Sequence, residues 1–150
     1  MNMNVTRNKK AYFNYTIIEE YDCGIILEGA EVKSIRQGNV MLTDSYAYIN
    51  KNEVWVRNFK VSRYKQMYKD DPFDTNREKK LLLTKSQIRK IARYLEDKGI
   101  TCIPLLVFAK NNKIKVKIGI AKGKKLWDKS QSIKEKDVQR ELKREMNIKI

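Results

Sequence analysis

The sequence predicts a mainly β protein, folded as a small closed or half-open β-barrel with two or three flanking helices and a C-terminal tail that is disordered in solution. Several segments alternate apolar and polar residues with the period of two that is typical of half-buried strands. Asparagine-containing turns join two pairs of these segments, which indicates two hairpins. Helical spacing is limited to a few short segments, and residues 122–150 are dominated by charge.

The composition indicates one basic domain with a polyanionic partner. The chain has 150 residues, enough for a hydrophobic core, and its 33 Lys and Arg against 18 Asp and Glu give a net charge of +15. RNA, DNA or an anionic membrane would satisfy that charge. No apolar run approaches the roughly 18 residues of a spanning helix, and the N-terminus lacks the apolar stretch of a signal peptide. We therefore expect a cytoplasmic protein without membrane association.

The first elements of the barrel follow a short basic segment. Residues 1–11 should be flexible unless a partner holds them. Residues 12–27 are rich in aromatic and β-branched side chains, which predicts one long strand, bent or bulged near Gly24. Residues 29–37 then predict a short helix that ends at Gly38.

The helix at 29–37 has an apolar face and a charged face. Val32 and Ile35 are spaced to face the barrel. Three charged residues are expected to point away from it: Glu31, Lys33 and Arg36.

The next hairpin carries most of the aromatic side chains. Residues 43–49 and 53–59 predict two strands with a turn at 50–52. Residues 60–80 are polar and predict a loop, most irregular at 66–78. Two interpretations stay open for the aromatic residues, core packing or a platform on which bases stack: Tyr46, Tyr48, Trp55 and Phe59.

The most regular helix is predicted at 85–98. Thr84 and Gln87 have the spacing of a capping box. Apolar residues follow at i, i+3, i+4 and i+7, and Gly99 is expected to end the helix.

A second hairpin closes the domain. Residues 101–109 form a nearly continuous apolar strand in which Pro104 requires an edge or a bulge. Residues 113–120 alternate aliphatic residues with lysines, so this strand should bury one face and display lysines on the other. Together these elements favour an OB-like β-barrel over residues 1–121.

Enzymatic chemistry is not indicated. The chain contains no histidine and no CxxC motif, so the commonest general base and the usual metal-ligand patterns are missing. Cys23 and Cys102 lie in apolar runs and are interpreted as buried thiols. We expect neither an enzyme nor a bound metal or other cofactor.

Residues 122–150 form a basic tail. Three apolar residues spaced four apart give only a narrow stripe, so we expect disorder in solution and a helix over about 132–147 on binding. Around Gly123, glycine and lysine residues could approach a phosphate backbone closely, and Trp127 could stack on an exposed base or fold back on the barrel. From the residues alone, RNA is the favoured partner.

Five segments carry a resemblance to a known family. They are NKKAYFNY at 8–15, EGAEVKSIRQGNVMLTDSYA at 28–47, KLLL at 80–83, KVKIGIAKGKK at 115–125 and IKEKD at 133–137. In this order they resemble the SmpB family, the SsrA-binding proteins of bacteria. The likeness runs from Asn8 to about Met146.

The resemblance implies an OB-type barrel that binds the tRNA-like domain of transfer-messenger RNA (SsrA RNA). It implies delivery of that RNA to ribosomes stalled on truncated messages, for ribosome rescue and peptide tagging (trans-translation). The tail would act in the decoding centre, near 16S rRNA, and in the empty message channel. Elongation factor Tu would join the delivery complex, and the protein would be a cytoplasmic monomer without enzymatic activity.

Matching positions give two groups of candidate site residues. The RNA-binding candidates are Asn8, Lys9, Asp22, Glu31, Lys33, Arg36, Leu82, Lys122, Gly123, Lys124 and Lys125. The candidates for the decoding centre and message channel are Trp127, Asp128, Lys129, Ile133, Lys134, Arg140 and Met146.

The chain departs from the family pattern at three places. Trp127 stands where the family usually has Tyr or His, and Ser130 stands where it usually has a basic residue. The segment at 71–80 is three residues longer than the family's compact form, so its arginines are not carried across. The alternative function is a general single-stranded RNA-binding or ribosome-associated OB-fold protein, which would not need residues 127–146.

Overall fold

The computed structural model describes residues 3–64 and 73–124, which form nine strands and three helices. In chain order the elements are β1 (Met3–Arg7), α1 (Lys9–Asn14), β2 (Tyr15–Ile25), α2 (Gly29–Arg36), β3 (Val40–Met41), β4 (Tyr46–Asn50), β5 (Glu53–Arg57), β6 (Lys60–Val61), β7 (Lys79–Leu82), α3 (Lys85–Leu95), β8 (Ile100–Lys110) and β9 (Lys113–Gly123). The predicted mainly β architecture with helices is confirmed. No helix in these two ranges is long and apolar enough to span a membrane.

The strand pairings form a closed ring. Seven strands lie in the order β1-β8-β4-β5-β7-β2-β9, and β9 also pairs with β8. This additional pairing joins the two sides of the sheet, so six strands follow one another around the ring and β1 lies beside β8. A separate two-stranded sheet pairs β3 with β6.

The core lies inside the ring, where alternate side chains of the strands meet. The predicted aliphatic stripe of β9 is buried there, and β5 contributes Val54 and Val56. Ile35 of α2 and Ile91 of α3 are buried in the same cluster. A smaller cluster outside the ring lies under α1 and contains Ala11, Ile103, Leu105 and Ala121.

Both predicted hairpins are confirmed, and turn chemistry explains their register. The β4–β5 turn places Lys51 and Asn52 at positive φ, and the β8–β9 turn does the same with Asn111 and Asn112. Two-residue turns of this kind match the twist of the strands that they join. Strand β4 begins at Tyr46 rather than at residue 43.

Among the described residues the strand register shifts at one expected and two unexpected places, one of the latter between Asn4 and Thr6 of β1. In β8 the register shifts between Pro104 and Leu106. This strand pairs with β1, β4 and β9, so the bulge accommodates the proline in an interior strand. In β2 the register shifts between Ile17 and Glu19, and the expected bulge near Gly24 is wrong.

Within the predicted flexible segment 1–11, the described residues form strand β1 and the start of helix α1. Residues 3–7 pair with β8, and Asn8 then fastens the start of α1. Its backbone N–H donates to the Leu105 carbonyl at 2.8 Å and its Nδ2 donates to the Pro104 carbonyl at 2.9 Å. Its Oδ1 accepts from the Ala11 N–H as an N-cap. The predicted strand at 12–27 therefore begins only at Tyr15.

The two helices predicted within the described residues, α2 and α3, are present, whereas α1 was not predicted. Helix α2 ends before Gly38, which adopts φ +82°. Thr84 and Gln87 form the predicted capping box of α3. Helix α3 ends at Leu95, earlier than predicted. Gly99 lies in a turn beyond the helix, where its N–H donates to Asp97 Oδ1 at 2.9 Å.

Strand β9 continues past the predicted end of the barrel. It reaches Gly123, and Lys122 pairs with Thr16 on β2. The predicted loop at 60–80 is too long, since β6 and β7 occupy its two ends. Residues 73–78 contain no helix or strand, and 66–72 lie outside the described residues. The tail from Lys125 onward, with its predicted helix, also lies outside them and stays a prediction.

Candidate nucleic-acid interface

The RNA-binding candidates that the structure describes fall into two clusters at opposite ends of β9. At one end, Arg36 Nη2 donates to the Asn112 carbonyl at 2.9 Å, in the turn before β9. At the other end, Lys124 follows β9 and its backbone N–H donates to the Asn14 carbonyl at 3.0 Å. The 11 residues of β9 span at most roughly 33 Å. Asp22 lies opposite Lys117 in the middle of the strand, so the two clusters are centred on different parts of β9 but approach each other along it.

The α1 cluster consists of Asn8, Lys9, Lys122, Gly123 and Lys124. Strand pairing places Gly123 opposite Tyr15, directly after α1. The Lys124 ammonium donates to the Tyr12 carbonyl at 3.3 Å, so both its backbone and its side chain contact the α1 segment. Lys9 and Lys122 are exposed. This end of β9 thus presents several ammonium groups around a backbone junction that is held by hydrogen bonds.

The α2 cluster consists of Asp22, Lys33, Arg36 and Leu82. Leu82 lies opposite Gly24 on β2 and is 50% exposed. A Cβ at Gly24 would lie 3.2 Å from Leu82 Cδ1, so the glycine lets the leucine lie close against the sheet.

Two concavities of about 560 and 540 Å³ flank Leu82 and share Gly24, Leu82 and Lys115. Asp22 lines the first concavity and lies opposite Lys117 of β9 in the strand register. The cluster therefore combines an exposed apolar side chain with nearby cations, a surface suited to a ribose or base and its phosphate.

Glu31 does not point away from the barrel as expected. It is only 1% exposed, and its Oε1 accepts from the Glu28 N–H at 2.8 Å. Arg77 donates to both carboxylate oxygens, from Nη2 at 2.5 Å and from Nε at 3.2 Å. The carboxylate is turned inward because a cation 46 positions later in the chain receives it.

Lys79 completes this network and is fully buried. Its ammonium donates to the carbonyls of Phe59 at 2.9 Å and Arg77 at 2.8 Å, and it lies 3.6 Å from Glu31 Oε2. Burial lowers the pKa of Lys79, and the charge of Glu31 opposes that shift. We call Glu31, Arg77 and Lys79 the α2 anchor, because they fasten α2 to the segment that leads into β7.

The pKa of Glu31 shows whether burial or the hydrogen bonds and charges of the α2 anchor have the larger effect on its carboxylate. Burial alone would raise that pKa, but the hydrogen bonds from Arg77 and from the Glu28 backbone, with the nearby Lys79 charge, lower it overall. The carboxylate therefore stays ionised at neutral pH. Sequence reasoning missed Arg77 and Lys79. The Glu28–Glu31 spacing of a capping box could have indicated that the Glu31 carboxylate turns back to the start of α2, but it does not indicate Arg77 or Lys79.

The aromatic residues of the β4–β5 hairpin divide between the two interpretations. Phe59 is buried in the core. Tyr46, Tyr48 and Trp55 are half-buried on the outer face, opposite the buried Ala47, Val54 and Val56. The Arg57 guanidinium lies over the Tyr48 ring at 4.8 Å and also pairs with Glu78. The outer face of the hairpin is therefore aromatic, and the positive charge of Arg57 is neutralised by Glu78.

The two cysteines are buried and unpaired, as interpreted from the sequence. Burial raises the pKa of both thiols to about 12. In the part of the chain that the structure describes, no group of three or more His, Cys, Asp or Glu side chains could hold a metal ion. The candidates Lys125, Trp127, Asp128, Lys129, Ile133, Lys134, Arg140 and Met146 lie outside that part and stay predictions.

Fold and site together define a small basic β-sheet protein of the kind that binds nucleic acid. Comparison with known proteins identifies the family. The family model described as SmpB protein matches residues 5–148. The SsrA-binding protein of Treponema denticola is 45% identical over 147 residues, covering 97% of this chain and 94% of that protein. The one from Coprothermobacter proteolyticus is 45% identical over 148 residues, covering 97% of each. The chain belongs to the SmpB family.

A solved structure gives the same result in three dimensions. It is described as "tmRNA-SmpB: a journey to the center of the bacterial ribosome". It superposes with a TM-score of 0.70 at 36% identity, covering 81% of this chain and 85% of that one. The resemblance seen in the sequence is therefore confirmed by family, relatives and fold.

Proposed function

We propose that this protein binds the tRNA-like domain of transfer-messenger RNA and delivers it to stalled ribosomes for trans-translation. The observation that carries the proposal is the placement of the family's motif residues in two outward-facing clusters, one at each end of β9. Membership of the SmpB family, relatives named SsrA-binding protein and a solved relative described with tmRNA and the ribosome support it.

The closed ring of strands supports an OB-type barrel as the platform for this RNA. Lys33 and Arg36 are exposed on one face of α2 and would neutralise phosphates. Leu82 would pack against a ribose or base. Glu31 would act through the α2 anchor, by holding the helix that carries the two cations, rather than by touching RNA.

The proposal also covers the oligomeric state, the cellular location and the further partners of the protein. It works as a monomer in the bacterial cytoplasm without catalysing a reaction, and elongation factor Tu accompanies the delivered complex. The tail beyond Lys124 acts in the decoding centre and the empty message channel. Strand β9 fixes where that tail begins, because Lys124 is held by Tyr12 and Asn14.

The test is binding to the transfer-messenger RNA of the same organism against a bulk tRNA competitor, over a salt series. Log affinity should fall linearly with log salt, by about 0.7 to 0.9 for each phosphate contact. Tight binding should survive excess tRNA. Binding that the competitor abolishes would instead support the general single-stranded RNA-binding alternative.

Variants separate specific phosphate contacts from net charge. The double variant K33A/R36A should weaken binding and reduce the salt slope by about two contacts. K98A removes an exposed lysine after α3 and should leave the slope within about half a contact of the wild type. An equal effect of K33A/R36A and K98A on affinity would contradict a phosphate site on α2.

The tail is tested by truncation. A chain ending at Lys129 should keep its affinity for the RNA and lose peptide tagging on stalled ribosomes. Normal tagging by that chain would refute the role of the tail. Trp127→Phe should tag nearly normally and Trp127→Ala poorly, since only the first retains a ring for stacking.

Charge reversal at Lys124 and Lys125 should reduce peptide tagging strongly and change the melting temperature only slightly. A large loss of stability would mean that the contact of Lys124 with the Tyr12 carbonyl is mainly structural.

A further inference from the structure

A cavity of about 320 Å³ opens on the outside of the barrel, between α1, the loop before β4 and strand β8. Its apolar lining comes from Ala11 and Ile103, which belong to the small cluster under α1. Tyr15 and Tyr46 add aromatic surface. The rest of the lining is polar, so the cavity combines apolar surface with hydrogen-bonding groups, as sites for small molecules and bases do.

The cavity is formed by segments that the protein holds rigidly. Asp44 adopts a left-handed φ of +61°, and its carbonyl accepts from Asn58 Nδ2 at 3.2 Å. Next to it, the Ser45 hydroxyl donates to the Arg57 carbonyl at 3.1 Å. On the other side, Asn8 ties α1 to β8. The shape is therefore present before any ligand arrives.

Polar groups around the cavity are available for a ligand. Within the described residues, the Asp44 carboxylate, the Asn14 side-chain amide and the Thr101 hydroxyl have no hydrogen-bond partner, and all three residues line the cavity. Asp44 is exposed and Asn14 and Thr101 are half-buried, so all three groups are open to water or to a ligand. Beside the apolar and aromatic part of the lining, they suit a ligand with both a flat ring and a polar edge.

The charge pattern distinguishes a base from a phosphate. Lys10 lines the cavity, and the α1 cluster supplies further lysines at the same end of β9. The Asp44 carboxylate would repel a phosphate group, but it accepts hydrogen bonds from N–H donors on the edge of a base. The Asp44 carboxylate beside these lysines therefore disfavours a site that binds only the phosphate backbone of RNA. It favours a site that also hydrogen-bonds to a base.

We propose that this cavity binds one unstacked nucleobase of a single-stranded RNA segment, with guanine preferred. Guanine presents two adjacent N–H donors that match the two oxygens of the Asp44 carboxylate, whereas uracil lacks an amino group. Tyr15 and Tyr46 supply surface for the ring, and the lysines of the α1 cluster neutralise the flanking phosphates. The inference rests on the proposed RNA-binding function and gives its α1 end a base-reading role.

The experiment titrates the full-length protein with four labelled trinucleotides, UGU, UCU, UAU and UUU, by fluorescence anisotropy. The wild type should bind UGU at least about fivefold more tightly than UUU, the smallest effect expected of a bidentate base contact. Asp44→Asn should reduce this preference to less than about twofold, since the amide offers one acceptor instead of two. Asparagine tolerates the left-handed conformation, so the variant should fold normally.

A matched control removes one negative charge elsewhere. Glu96→Gln lies at the exposed end of α3 and should keep the full preference for UGU. Equal binding of all four trinucleotides by the wild type, binding of none, or a UGU preference that survives Asp44→Asn would each overturn the base site.

The outcomes also separate this site from the proposed function. Selective binding of transfer-messenger RNA without a trinucleotide preference would refute only the base site. A UGU preference that depends on Asp44, without selectivity for transfer-messenger RNA, would refute only the assigned RNA.

Discussion

Replacing Glu31 with Gln should destabilise the protein strongly although the two side chains have nearly the same shape. The change removes the only carboxylate that the structure places against the buried Lys79 ammonium, within the described residues, and the main partner of Arg77. Removing one partner of a buried ion pair costs about 3–5 kcal/mol. Lys79 retains two carbonyl acceptors and glutamine can still accept from the Glu28 N–H, so we expect the lower value, about 3 kcal/mol.

Thermal unfolding measures this loss directly. For a chain of this length, 1 kcal/mol corresponds to about 2–4 °C, so Glu31→Gln should lower Tm by about 6–12 °C. Glu28→Gln is the matched control. The Glu28 side chain is 67% exposed and lies 3.6 Å from Arg77, and an exposed pair of this kind contributes at most about 1 kcal/mol. Equal shifts for the two variants, or no shift for Glu31→Gln, would refute the α2 anchor.

The pH dependence gives a second test with a definite sign. The folded pKa of Glu31 lies below its ordinary value of 4.5, so its ionised form stabilises the protein. That stabilisation is complete above about pH 4.5 and is lost as the pH falls through the lower folded pKa. The Tm difference between wild type and Glu31→Gln should therefore be constant from pH 7 to about pH 5 and shrink below it. A difference that grows on acidification would contradict the sign of this pKa shift.

Two further predictions concern packing and the thiols. Gly119→Ala should lower the free energy of unfolding, measured in a urea melt, by about 1–3 kcal/mol, because its Cβ would lie 2.5 Å from Leu105 Cδ1. Gly29→Ala has no atom within 4 Å of its Cβ and should be neutral or slightly stabilising, and a larger loss for Gly29→Ala than for Gly119→Ala would contradict the packing. Cys23 and Cys102, with pKa values raised to about 12, should react with a thiol reagent at pH 8 only when the chain unfolds, and rapid labelling of the native protein would refute their burial.

Local patterns predicted the elements well because their causes are local. The turn at Asn111 and Asn112 and the capping box at Thr84 and Gln87 each depend on residues within a few positions. The alternation of β9 predicted which of its side chains are buried. In each case the energetic preference is contained in a short stretch of chain, so no knowledge of the fold was needed.

Two of the errors arose where one polar side chain finds a partner far along the chain. Asn8 fixes the N-terminal segment through the Pro104 carbonyl, 96 positions away, and Glu31 turns inward to Arg77, 46 positions away. A helical wheel places charged residues outside by default, because burying an unpaired charge is costly. Only the folded chain shows that the charge is paired, so composition and periodicity could not have located the α2 anchor.

The RNA-binding candidates predicted from the sequence lie in two clusters along β9, and the packing of that strand explains their positions. Strand β9 carries its aliphatic stripe inside a closed ring of strands, so the backbone between its two ends is held by core packing. Arg36 contacts the turn at one end, and Lys124 contacts α1 at the other. Two groups of cations held near the two ends of one strand, at most roughly 33 Å apart, would contact a polyanion differently from one flexible basic patch. If the proposed RNA contacts at α2 are correct, the closed ring of strands also sets the distance from that RNA to Lys124, where the described chain ends.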